Sequence, residues 1–123
     1  MTEVIIIDDD YQIRSLLSEV FKLAEVPVDV VANGIEAEAL FNLKTYKVVI
    51  TDIVMPEKDG FEIIFEVKQR WPDTDIIAIS GGGRLDSRDY LNSAQNFGVA
   101  ATFQKPLDRK ALVAKVKELL AKT

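Results

Sequence analysis

Val4-Ile5-Ile6-Ile7-Asp8-Asp9-Asp10 decides how the rest of the chain is read. Four consecutive β-branched residues, with no polar residue between them, describe a strand buried on both faces, the habit of a parallel sheet. Behind it Ile13, Leu16, Leu17, Val20 and Ala24 recur at steps of three and four, the apolar stripe of a helix. Pro27 marks the break that follows. A buried strand feeding an amphipathic helix is the first part of a βαβ unit, the crossover that parallel strands require.

The same pairing recurs along the chain. A second strand runs from Val28 to Ala32, Asn33-Gly34 turns the chain, and a helix follows with Ile35, Ala39, Leu40 and Leu43 on its apolar face. Val48-Val49-Ile50 is a third strand ending at Thr51-Asp52, before a loop holding Met55-Pro56 and Asp59-Gly60. The next helix directs Phe61, Ile64, Phe65 and Val67 inward and stops near Trp71-Pro72. Ile76 to Ile79 is the fourth strand, running into Ser80-Gly81-Gly82-Gly83. A fourth helix spans about Ser87 to Phe97, with Gly98 closing it, and Ala100 to Gln104 is a short fifth strand. Asp108 caps a final helix carrying Leu112, Val113, Val116, Leu119 and Leu120. Five such units predict an α/β fold, a flavodoxin-like doubly wound parallel sheet of order 2-1-3-4-5, forming one domain over residues 1–123.

Composition removes whole classes of function. The 123 residues include neither cysteine nor histidine, which excludes disulfide scaffolds, thiol catalysis, Ser–His–Asp triads and histidine-ligated metals. A net charge of −5 argues against direct nucleic-acid binding. No apolar run approaches the ~20 residues of a membrane span, no signal peptide is read, and a cytoplasmic location is expected.

In an open parallel sheet, ligands bind beyond the carboxyl ends of the strands, where the strand order reverses. Strand one ends in Asp8-Asp9-Asp10, strand three in Asp52, strand four in Ser80 and strand five in Lys105-Pro106. Converging carboxylates repel unless a cation joins them, and Mg²⁺ takes oxygen ligands of this kind. A carboxylate is also a competent nucleophile toward phosphorus. The equatorial oxygens of a transferring phosphoryl group need neutralising partners, which Mg²⁺, the Ser80 hydroxyl and the Lys105 ammonium supply.

On these residues the chain resembles a response-regulator receiver domain of two-component signalling over essentially its whole length. The matching pieces are Ile7-Asp8-Asp9, the run from Thr51-Asp52 to Asp59-Gly60, Ser80, and Lys105-Pro106. The resemblance implies that Asp52 accepts a phosphoryl group from a sensor histidine kinase or a histidine phosphotransfer protein. It implies Mg²⁺ ligation by Asp9, Asp52 and the backbone carbonyl of Val54, with Asp8 acting largely through water. Ser80 then contacts the phosphoryl group in the activated state, Lys105 pairs with it, and Pro106, as a cis-proline, aims Lys105. The signal leaves through a face made by the fourth helix, fifth strand and fifth helix, with Tyr90, Thr102 and Gln104 as members, toward a target the sequence does not name. Such a domain is a signalling phosphoacceptor rather than an enzyme acting on a separate substrate.

Other assignments are weighed beside these. Asp10 reads as a helix N-cap, and Asp59-Gly60 as turn and helix-start chemistry. The three glycines from Gly81 read as a hinge that lets Ser80 move, with Gly81 leaving that side of the phosphoryl group open. The position three before Lys105, where the family carries an aromatic switch residue, is Thr102, with Phe103 beside it. A phosphorylation-independent interaction module on the same fold is the main alternative. A flavodoxin-like cofactor protein is opposed by the acidic first loop, and an aspartyl phosphatase by the lack of an acid at Val54.

Overall fold

The structure, a computed structural model, describes residues 2–53, 60–81 and 94–122. Five strands, β1 (Val4–Ile7), β2 (Val28–Val31), β3 (Val48–Asp52), β4 (Asp75–Ser80) and β5 (Ala101–Gln104), pair in parallel in the order β2-β1-β3-β4-β5. The register sets Ile7 against Val31 and Thr51, Asp52 against Ile79, and Ser80 against Gln104. The strands that carry the polar ends therefore finish along one edge.

Alternation along each strand feeds two separate cores. Ile5, Ile7, Val49, Ile76 and Ala78 pack beneath α2 (Gly34–Phe41) and α3 (Gly60–Arg70). Val4, Ile6, Val48, Ile50, Ile77 and Ile79 pack beneath α1 (Tyr11–Leu23) and the C-terminal helix (Arg109–Ala121). Covering both faces is why β1 is wholly apolar and wholly buried.

Helix starts follow the polar residues before them. The side chains of Asp10, Asn33 and Asp108 accept from the amides of Gln12, Glu36 and Ala111, each satisfying an otherwise unpaired donor of the first turn. Glu36 reaches back to the Ala32 amide, a reciprocal arrangement close to a capping box.

Two apolar faces differ from the sequence expectation. In α3 Phe65 is 57% exposed while Ile63 is 1% exposed, because Gly60, Ile63, Ile64 and Val67 share the buried stripe. In α2 the buried residues are Gly34, Ala37 and Phe41, which leaves Ile35 in solvent, and Leu43 falls beyond the helix end and is also exposed. In α3 Ile64 and Val67 are buried and Phe61 packs on the core as the spacing predicts, so only Phe65 departs, whereas in α2 only Leu40 of the expected set packs on the core. Of the expected fourth helix, residues 94–96 are helical and Gly98 follows with φ of 80°, a left-handed position that favours glycine. Val54, Met55-Pro56, Asp59, Gly82, Gly83 and Tyr90 lie outside the described residues.

Candidate functional site

The turn after β1 separates its three aspartates by function. Asp10 caps α1. Asp8 points inward and is completely buried, with its Oδ1 accepting from the Asp10 amide at 2.9 Å. Arg14, one turn into α1, donates from Nη1 to the Asp8 carbonyl oxygen at 2.9 Å. Asp9 stands between them, exposed.

Asp52 closes β3 and is buried. The main chain of Ile53, directly after it, is held from two sides, since its amide donates to the Ile79 carbonyl and its carbonyl accepts from the Gly60 amide. Gly60 sits so close that a Cβ there would lie 2.3 Å from the Asp52 carbonyl oxygen. Read from sequence as helix-start chemistry, Gly60 also lets the first turn of α3 rest directly on the phosphoacceptor candidate. A glycine immediately before an apolar helical stripe is the signal that marks it.

Lys105 follows β5, and its peptide bond to Pro106 is cis. Its ammonium lies 3.0 Å from Asp8 Oδ2 and 3.1 Å from Asp52 Oδ2. Burial raises the Asp8 carboxyl above its usual range, against the lowering effect of the Asp10 amide and Lys105. Burial alone would depress Lys105, but Asp52 and Asp8 outweigh it and hold the ammonium above its usual range. Ser80 is buried at the last position of β4, and its carbonyl accepts from the Lys105 amide at 2.8 Å. Thr102 is half-buried and lies opposite Ala78, whereas Phe103 packs on the other face of the sheet, against the cluster beneath the C-terminal helix. Phe103 is therefore on the wrong side of β5 to replace an aromatic at position 102.

Asp8, Asp9 and Asp52 each bring a carboxylate oxygen within 4.8 Å of the others. Asp8 Oδ2 is buried without a hydrogen bond of good geometry, Lys105 being its charged contact. Three acids facing one ammonium leave a negative excess, and every donor is a hard oxygen, the combination that suits Mg²⁺. Among the described residues, no helix is long and apolar enough to cross a membrane.

The sequence matches the profile of the response regulator receiver domain over residues 4–117. The chain belongs to this family. Sporulation initiation phosphotransferase F of Bacillus subtilis is 30% identical over 118 residues, covering 96% of this chain and 93% of that protein. The transcriptional regulatory protein CpxR homolog of Haemophilus influenzae is 27% identical across the whole chain, which spans 52% of that protein's length. The crystal structure of a response regulator receiver domain protein from Clostridium thermocellum superposes with a TM-score of 0.86 at 24% identity, covering 98% of this chain and 94% of that one. The receiver domain described here thus has the fold and the two-component membership that its strand ends suggested.

Proposed function

We propose that this receiver domain is a phosphorylation switch in which Asp52 is the phosphoacceptor. The observation that carries the proposal is the pairing of Asp52 with Lys105 inside the Asp8, Asp9 and Asp52 group. Asp8, Asp9, Asp52 and the carbonyl of Val54 would hold Mg²⁺. When bound, the ion supplies positive charge to the phosphoryl oxygens.

In the transfer, an Asp52 carboxylate oxygen bonds to phosphorus while the bond from phosphorus to the donor's imidazole nitrogen breaks. The electron pair leaves on the imidazole, which takes a proton from solvent. Lys105 meets the charge on the transferred group from where it already stands, so its contact costs little reorganisation. Ser80, at the end of the neighbouring strand, offers a hydroxyl to another oxygen, and Gly81 and Pro106 shape the loops that carry Ser80 and Lys105. Thr102 has no ring, so the change is relayed through Ser80, Lys105 and the segments after β4 and β5 to the face that includes Gln104. A sensor histidine kinase or a histidine phosphotransfer protein is the donor, and a target protein reads the altered face. The acidic, cysteine-free composition suits a cytoplasmic setting.

Incubation with acetyl phosphate and Mg²⁺, followed by intact-mass measurement, tests this. A gain of about 80 Da, one added phosphoryl group, is expected for the wild type and not for Asp52→Asn. An unmodified wild type under varied conditions, or an equally modified Asp52→Asn, contradicts it.

A further inference from the structure

We infer that Gly81 is a positioning residue for Lys105, its missing side chain letting the lysine's main chain come close enough to place the ammonium between Asp8 and Asp52. The inference rests on the acidic-pocket reading above. The pairing of β4 with β5 continues one step past Ser80 and Gln104, where the Lys105 amide donates to the Ser80 carbonyl. Gly81 follows directly. A Cβ there would lie 2.7 Å from Lys105 Cβ, 2.8 Å from its amide nitrogen and 3.1 Å from its Cα. These are anchor atoms, not the far end of a flexible chain, so no rotamer change relieves the contact. Backbone must shift instead, and the root of Lys105 stands directly against the added atom. The lysine stem has a limited reach, and its Nζ already spans two acids at 3.0 and 3.1 Å. Shifting its root draws the ammonium off at least one of them. The Ser80-Gly81-Gly82-Gly83 run reads as a hinge, but its first glycine has a packing reason of its own.

The consequence can be read with Mg²⁺ alone, without any phosphoryl donor. The ammonium competes with a dication for the same acids, so its removal should tighten Mg²⁺ binding. Calorimetric titration of four proteins separates the possibilities: wild type, Gly81→Ala, Lys105→Met and the double variant. Lys105→Met is expected to bind Mg²⁺ roughly tenfold more tightly, and Gly81→Ala several-fold more tightly. Adding Gly81→Ala to Lys105→Met should then leave the affinity unchanged. The melting temperature should fall with Gly81→Ala in both backgrounds, because the Cβ still meets the backbone of residue 105. An affinity change of equal size in both backgrounds, or in neither, overturns the inference. Should Gly81→Ala fail to fold, the Lys105 ammonium resonance of the wild type decides. Slow proton exchange supports a held ammonium, and fast exchange overturns it. If this coupling holds while acetyl phosphate leaves the wild type unmodified, the phosphoacceptor reading falls and the role of Gly81 stands.

Discussion

Asp8 and Asp10 are two positions apart, yet one is buried against Lys105 and the other caps α1 in solvent. The pattern of residue types located this turn, since an acid directly before a helical stripe reads as a cap and the acids preceding it are left for the strand end. The depth of Asp8 was not legible, because it depends on Lys105 arriving from nearly a hundred residues away. Gly60 shows the same limit. Its position before the α3 stripe was plain, but its contact with the Asp52 carbonyl is a property of the folded chain. Gly60→Ala should destabilise the domain by about 1–3 kcal/mol through overpacking, and should slow phosphoryl acceptance by displacing Asp52. Denaturant unfolding and the acetyl phosphate reaction measure the two effects. Unchanged stability would mean that the helix start is not seated on β3 as described.

Every described strand and helix was anticipated from apolar runs and three-four spacing, and their ends moved by no more than about two residues. The phase of the amphipathic helices was less legible. Apolar residues on α2 and α3 are numerous enough to draw more than one stripe, and the caps and the sheet select which one is buried. Ile63→Ala should therefore cost about 2–5 kcal/mol, while Phe65→Ala, on the exposed side, should change stability by less than about 0.5 kcal/mol. Comparable losses at the two positions would restore the original phase.

The edge strand β2 is fastened by a polar device that the sequence did not announce. Tyr46, buried before β3, donates its hydroxyl to Asp29, which also pairs with Lys44 at 2.8 Å. Burial would raise the Asp29 carboxyl, but Lys44 and Tyr46 outweigh it and hold it below the usual carboxylate range. A depressed carboxyl stabilises the fold above its unfolded value, and that contribution is lost as pH falls through the folded one. The stability gap between wild type and Asp29→Asn should accordingly be constant at neutral pH and shrink only as acidification carries the pH below the ordinary carboxylate range. Tyr46→Phe should cost about 1 kcal/mol at neutral pH. A stability gap between wild type and Asp29→Asn that does not change with pH would contradict the pairing.

Across the whole molecule, the sheet places its chemistry at one end and Trp71 at the other, just past the end of α3 and packed against Phe41 and Arg70. Mg²⁺ should raise the melting temperature as any ligand of the native state does, and the rise should be lost in Asp9→Asn. Trp71 emission should stay nearly constant through the same titration. Strong quenching would show that α3 does not carry Trp71 away from the acids. The two-sided burial of the strands and their polar ends, both visible in the sequence, were enough to indicate this layout. The facing of β5 was not, because a four-residue strand allows either side, and the structure directs Phe103 away from the Thr102 face.

The identity of the phosphorylated residue decides whether the switch works as proposed. After reaction with acetyl phosphate and Mg²⁺, borohydride reduction converts an acyl phosphate on an aspartate to homoserine, and digestion at lysine releases residues 48–58 as one peptide. Sequencing that peptide by mass spectrometry should find homoserine at position 52. Homoserine at position 8 or 9 instead, or at no position in a protein that had gained the phosphoryl mass, would contradict Asp52 as the acceptor.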